Sequence, residues 1–380
     1  MQHQSKLPNV GTTIFTVMSG LANKHNAINL SQGFPNFKSE QTLIDLVTKA
    51  MQNGYNQYAP MLGNFELRKA ISKKYELLYG SSYHPVTEIV ITVGASQAIF
   101  SAICAFVKSD DEVIIFRPAY DIYEPTIQLN GGKTISVELN YPNYTIDWNE
   151  VKQKISSNTK MIIVNTPHNP SGSILTKDDM LQLEELTKDT NIVVLSDEVY
   201  EHIIFDGEDH QSACFFKGLK SRTIITASFG KTFHNTGWKT GYCCAPKDLI
   251  DEILKIHQFS VFSVNHPVQV ALAEYLQVPN HYLYLSGFFQ EKRDYFLSLI
   301  KNSRFKFKPA KGTYFQVLDY SNITNEYDVD FAKRLTIENG LASIPLSVFN
   351  ENNRDDKVLR FCFAKTNDTL QKAAEILNKI

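Results

Sequence analysis

Between Glu88 and Pro246 the chain alternates short, almost continuously apolar runs with amphipathic stretches. No other feature restricts its possible folds as much. EIVIT (88–92), EVIIF (112–116), TISVEL (134–139), KMIIVN (160–165), NIVVLSD (191–197), TIITAS (223–228) and GYCCAP (241–246) have strand length and bulk apolar character. The segments near 95–108, 120–130 and 176–189 read as helices, and LTKDDMLQLEELTK shows the i, i+3, i+4 apolar spacing. Strands of this kind, separated by helices, predict an α/β fold with a mostly parallel central sheet covered on both faces.

A chain of 380 residues exceeds one ordinary core, so two domains are expected. The larger is placed at 40–278. The smaller combines 1–39 with 279–380, where the pattern changes to an α+β layout. There a long helix over roughly 281–301 precedes strands in FKFKP, TYFQVLDY and VLRFCFAK and a closing helix at 367–379. The N-terminal segment shows no strand–helix rhythm of its own and is expected to pack against the C-terminal part. A formal net charge of −2 without a basic block gives a nucleic-acid partner no footprint. No apolar run is long enough to span a membrane, and MQHQSKLPNV lacks the apolar region of a secretion signal. Cys104, Cys214, Cys243, Cys244 and Cys362 form neither a CxxC pair nor a tetrahedral ligand set, which predicts reduced thiols, no metal site and a cytoplasmic setting.

In open α/β sheets, ligands sit beyond the carboxyl ends of the strands. Taken in order, those ends carry chemistry. After 88–92 come Gly94, Ala95 and Ser96, leading into a helix whose free N–H groups make an anion site, although Ser96 also suits an ordinary helix cap. After 112–116 comes Tyr120, able to stack on a flat ring or to fill core. The turn NTPHNPSG aims Asn169, and strand 191–197 ends on Asp197 with Tyr200 three residues later. Ser228 ends the next strand, followed by Lys231 and Lys239 within SFGKTFHNTGWKTG, which glycines 230, 237 and 241 punctuate. An anion cradle, a ring to stack on, an amide and a phenol, a carboxylate and a lysine match pyridoxal 5'-phosphate group by group. Lysine is the side chain that forms a Schiff base with an aldehyde.

SQGFPNF (31–37), NQYAPMLGNFELRKAI (56–71), NTPHNPSG (165–172), SDEVY (196–200), SFGKTFHNTGWKTGY (228–242) and LRFCFAK (359–365) resemble the pyridoxal-phosphate-dependent class I aminotransferases of fold type I. The similarity is to the methionine, glutamine–phenylpyruvate and kynurenine branch and runs from about residue 10 to 378. It implies that Lys231 links the cofactor and shuttles a proton, and that Asp197 pairs with the ring nitrogen. Tyr200 and Asn169 would hold the 3'-oxygen, Tyr120 would stack on the ring, and Ser228, Lys239 and the Gly94–Ser96 turn would bind phosphate. Arg360 would grip the substrate α-carboxylate beside Gly33, and Tyr58 would reach the phosphate of the neighbouring subunit in a homodimer with shared sites. Serine at 96, often aromatic in the kynurenine enzymes, argues against kynurenine as preferred substrate. No arginine lies in 258–269, where dicarboxylate-specific members supply one. Phe15, Phe34, Phe233 and Phe262 are candidates for an apolar side-chain pocket or for core. The implied reaction moves an amino group from an apolar or aromatic amino acid, such as methionine, phenylalanine or glutamine, to a 2-oxo acid by a ping-pong route. A carbon–sulfur β-lyase would use the same residues. A cofactor-sensing regulator would need an added DNA-binding segment before Val10. A nicotinamide dehydrogenase would need GxGxxG where VGASQA stands.

Overall fold

The computed structural model describes residues 4–380; Met1–His3 of the segment 1–39 lie outside the described residues. After β1 (Ile28–Asn29), seven strands build the main sheet: β2 (Ile89–Thr92), β3 (Glu112–Arg117), β4 (Lys133–Glu138), β5 (Thr159–Asn165), β6 (Val193–Asp197), β7 (Thr223–Ser228) and β8 (Gly241–Cys244). Their order is β2-β8-β7-β6-β5-β3-β4; all neighbouring pairs run parallel except those made by β8, which is antiparallel to both β2 and β7. Successive residues along a strand fill two separate cores. Ile114, Ile162, Val194 and Ile225 pack on one face, while Val113, Ile115, Ile163, Leu195 and Ile224 pack on the other. Burial on both faces explains why these strands read as unbroken apolar runs.

Helix Gly94–Phe106 crosses one face against β6, β7 and β8. Helix Lys177–Thr187 starts with a reciprocal capping box between Thr176 and Asp179, which satisfies two otherwise orphaned N–H groups. A second, antiparallel sheet has the order β11-β12-β9, formed by β9 (Phe315–Asp319), β11 (Ile344–Pro345) and β12 (Val358–Cys362). β1 pairs in parallel with β10 (Leu341–Ala342), and helix Ile14–Lys24 packs on helix Asp328–Glu338. The N-terminal segment is thus in contact with the C-terminal part.

Several details differ from the sequence reading. The N-terminal segment does carry a helix, Ile14–Lys24, capped by the Thr13 side chain. FKFKP forms no strand; only an isolated bridge from Lys306 to Asp319 is present, and Pro309, lacking an N–H, offers no further donor. The third strand of that sheet is the two-residue β11, too short to leave a periodic signature. The long helix is divided into Asn280–Leu283 and Leu285–Ile300, and the helix expected from residue 120 begins at Tyr123.

Candidate active site

The strand register brings the site together. Asn165 pairs with Asp197, Asp197 with Thr226, and Ser228 with Gly241, so four strand ends lie side by side. They open on a cavity of about 160 Å³ lined by Gly94, Ala95, Ser96, Tyr120, Asn169 and Asp197 together with Tyr200, Ser228, Lys231 and Lys239. A larger groove of about 730 Å³ lies between Tyr141–Thr145 and Lys306–Lys311. It holds no comparable convergence of an amine, a buried carboxylate and a helix N-terminus, so the smaller cavity is the candidate site.

At one end of this cavity the helix Gly94–Phe106 begins without a side-chain cap. Ser96 is therefore not the cap residue; it sits in the first turn, and the leading N–H groups remain available for an anion. Gly94 has φ +68°, and a side chain there would sit 3.6 Å from the Lys239 amine. Gly241 leaves no room at all: an added Cβ would fall 2.8 Å from Ala95 N and 2.6 Å from Ala227 O. The start of β8 is thereby pressed against the helix start, and Lys239, in the left-handed region at φ +53°, brings its charge to the same place.

Asp197 is almost fully buried. Its Oδ2 accepts from Tyr123 Oη at 2.6 Å and its Oδ1 from the Val199 N–H at 3.4 Å. Burial pushes its carboxyl up to about 6, against the pull of those two donors. A carboxylate placed in this way is short of a cation. Asn165 fixes its surroundings: Nδ2 donates to the Asp197 carbonyl at 2.8 Å and Oδ1 accepts from the Asn169 N–H at 2.8 Å.

Lys231 lies on the short helix Phe229–Thr232 directly after β7. Its Nζ donates to the Gly33 carbonyl at 3.1 Å and lies 5.8 Å from the ring centres of Tyr200 and Tyr314. Desolvation lowers its amine to about 8, helped by the positive charges of Arg360 and Lys239. A neutral, nucleophilic amine is therefore accessible near neutral pH.

Arg360, on β12, is buried and reaches over from the second sheet. Its Nη1 donates to Asn169 Oδ1 at 2.7 Å and its Nη2 to the Ser31 carbonyl at 2.9 Å, while Nε has no partner. The guanidinium lies 3.9 Å from the Phe315 ring centre and 5.2 Å from that of Phe15. Because the amide oxygen of Asn169 is taken by Arg360, its NH₂ is left as a donor. An arginine with a free N–H in a desolvated, aromatic-walled place needs an anion.

The pattern of a helix start, a cationic lysine, a buried carboxylate and an amine at successive strand ends coincides with family evidence. The model of the family "Aminotransferase class I and II" matches residues 25–377. The chain belongs to this family. It is 46% identical over 378 residues to the methionine aminotransferase of Escherichia coli, covering 99% of this chain and 98% of that protein. It is 35% identical to a kynurenine–oxoglutarate transaminase of Dictyostelium discoideum, over 97% and 94% of the two chains. Its fold superposes on the crystal structure of Escherichia coli YbdL, for which a methionine aminotransferase function was identified, with a TM-score of 0.98, 46% identity and full coverage of both chains. Aminotransferases of this family use pyridoxal 5'-phosphate. The uncapped helix start, the cation-seeking Asp197 and the amine of Lys231 fit that group.

Other residues named from the sequence lie elsewhere. Tyr58 is 82% exposed, edge-on to Phe262 at 5.7 Å, and outside its own chain's cavity. Phe34 is exposed with its ring over the Lys365 amine, not among the cavity walls. Phe233 does not line a substrate pocket; it is buried core, stacked with Phe229 and edge-on to Tyr275. Gly33 does reach Lys231, through its carbonyl, which also accepts from Tyr314 Oη at 2.6 Å. Its lack of a side chain is required, since a Cβ would meet the Phe315 ring at 2.7 Å. Sequence reasoning missed Tyr123, Asn165, Tyr314 and Phe315. Tyr123 and Asn165 sit within or next to motifs already singled out, but nothing in their spacing told them from core residues.

Proposed function

We propose that this protein transfers the amino group of an apolar or aromatic L-amino acid to a 2-oxo acid. The observation that carries this is the convergence of Lys231 and Asp197 on one cavity, with Arg360 hydrogen-bonded to Asn169 in its wall. Pyridoxal 5'-phosphate, when bound, supplies an aldehyde for amine exchange and a cationic ring that withdraws electrons from the substrate Cα.

In this reading the N–H groups of Gly94–Ser96, Ser228 and Lys239 would hold the phosphate, Tyr120 would stack on the ring, and Asn169 and Tyr200 would hold the 3'-oxygen. Asp197, kept short of a counter-charge by burial, supplies the negative partner for the ring nitrogen, and Tyr123 holds that carboxylate in one orientation. Lys231, with its amine lowered to about 8, would supply the nucleophile that links the cofactor aldehyde, and as a free amine it would be the base beside the substrate Cα. Arg360 offers parallel N–H donors to the α-carboxylate and so fixes which Cα bond faces the lysine. Phe15 and Phe315, flanking the guanidinium, favour apolar side chains. The name of the 46% identical relative supports methionine as a donor.

A homodimer with shared sites accounts for Tyr58, Phe259 and Phe262, large aromatics standing exposed beyond their own chain's cavity. A division into 40–278 and 1–39 with 279–380 accounts for the separate sheets. A cytoplasmic setting agrees with all five cysteines being free, and among the described residues no helix is long and apolar enough to cross a membrane.

The test is amino-donor profiling with methionine, phenylalanine, glutamine, aspartate and a cysteine S-conjugate against several 2-oxo acids. One new oxo acid per acceptor consumed, with the apolar and aromatic donors ahead of aspartate, is expected. Pyruvate and ammonia released from the conjugate without acceptor consumption, and no transfer from the other donors, would instead establish the β-lyase.

A further inference from the structure

Behind the cavity, on the far side of the turn that carries Asp197 and Tyr200, lies a second group of buried charges that the reaction does not use. Lys74, on helix Phe65–Tyr79, and Glu201 are each only 3% exposed at their side chains. Lys74 Nζ donates to Glu201 Oε1 at 2.5 Å and to Tyr242 Oη at 2.7 Å, and Tyr242 Oη donates onward to Glu201 Oε1 at 3.1 Å. Tyr79 Oη donates to the other carboxylate oxygen at 3.0 Å. Burial alone would raise the Glu201 carboxyl, but the adjacent Lys74 amine holds it below the usual carboxylate range. Three residues earlier, Glu198 is fully buried. Its Oε1 accepts from Ser196 Oγ at 2.8 Å and the Ala213 N–H at 3.0 Å, and its Oε2 lies 2.8 Å from His210 Nε2.

Buried ion pairs are weak contributors to net stability, because desolvation offsets the attraction. Their geometry, by contrast, is demanding, and here it converges on the cavity-forming segments. Asp197 and Tyr200 face the cavity, while the interleaved Glu198 and Glu201 face these partners. Tyr242 follows Gly241, the residue pressed against the helix start at Gly94–Ala95, and its ring lies 5.1 Å from that of Phe229, two residues before Lys231. The Lys74–Glu201–Tyr242 cluster therefore touches the acid-bearing turn, the strand beside the anion cradle and the lysine helix together.

We propose that Lys74, Glu201 and Tyr242 are positioning residues that hold these three segments in mutual register. The inference rests on the aminotransferase reading above. Lys74→Met alone would strand a buried carboxylate and destabilise the fold, so the informative variant is Lys74→Met with Glu201→Gln, which removes both charges. In that variant thermal unfolding should stay near the parent. The pyridoxal 5'-phosphate dissociation constant, titrated into cofactor-free protein, should rise by about 10-fold or more. Turnover should fall by up to about 100-fold, the scale of a small misplacement of reacting groups. KM for methionine and for the oxo acid should stay within about 2-fold, since Arg360 is untouched. The absorbance band of the bound cofactor should also shift, which a purely structural role would not cause. Tyr242→Phe and Tyr79→Phe, each removing one hydroxyl, should move cofactor affinity and turnover in the same direction, and they decide the matter if the double variant does not fold. Parent-like affinity, absorbance and turnover in the folded variants would overturn the proposal. A parent protein that neither binds the cofactor nor transaminates would instead sink the functional reading on which it rests.

Discussion

Replacing Arg360 with lysine separates recognition from chemistry. In the structure two N–H groups of the guanidinium are committed, to Asn169 Oδ1 at 2.7 Å and the Ser31 carbonyl at 2.9 Å, and the plane lies 3.9 Å from the Phe315 ring centre. Those contacts aim the remaining donors. A lysine amine at the same position keeps a charge but presents it at a single point, and it cannot offer parallel donors to a carboxylate. Losing one hydrogen bond to a charged group costs about 1.5–3 kcal/mol. At about 1.4 kcal/mol per tenfold, kcat/KM for amino and oxo acids alike should drop by about 10- to 150-fold. The loss should appear mainly in KM, and cofactor absorbance should remain, because none of the proposed phosphate-binding residues is changed. Steady-state kinetics of both half-reactions with methionine, phenylalanine and two oxo acids measures this. Unaltered KM values, or loss of pyridoxal 5'-phosphate, would show that Arg360 is a structural residue and that the carboxylate is held elsewhere.

Three further outcomes are expected. Lys231→Ala should lose all borohydride-stable cofactor attachment while keeping its circular dichroism spectrum; persistence of the reduced adduct would direct attention to Lys239. In cofactor-free protein Asp197 binds its proton more tightly when folded, at about 6 against an ordinary 3.8. Its contribution to stability therefore falls as pH rises from about 4 to 6, and melting curves of cofactor-free Asp197→Asn should lack this fall. An unchanged pH profile would mean that Asp197 is not desolvated as the structure shows, and near-normal turnover would remove its electrostatic role. Finally, mixed dimers of inactive Lys231→Ala and inactive Tyr58→Ala chains should recover activity through one restored site; verified heterodimers without activity would rule out the shared site.

Much of the site was legible from sequence because its groups sit at strand ends within motifs. Asp197 closes an apolar run, Lys231 follows another, and the Gly94–Ser96 turn leads into a helix. A buried polar residue at such a boundary has few explanations, and the strand periodicity that predicts the sheet also places these residues on one edge. The aromatic candidates were less legible. Phe233 has the same type and motif context as a pocket residue, yet it points into the core against Phe229 and Tyr275. Helix phase and the position of the neighbouring helix decide this, and neither is encoded in the local pattern.

Local sequence therefore determined the alternating architecture, the edge at which chemistry gathers and most of the groups found there. Their chemical states belong to the tertiary structure alone. Asp197 stands near 6 and Lys231 near 8 because distant segments remove water from them. Arg360 meets Asn169 across 191 residues of chain, and Lys74 meets Glu201 across 127. Periodicity reports which face of an element is buried; only packing brings two buried faces together and sets how much each charge loses on leaving water.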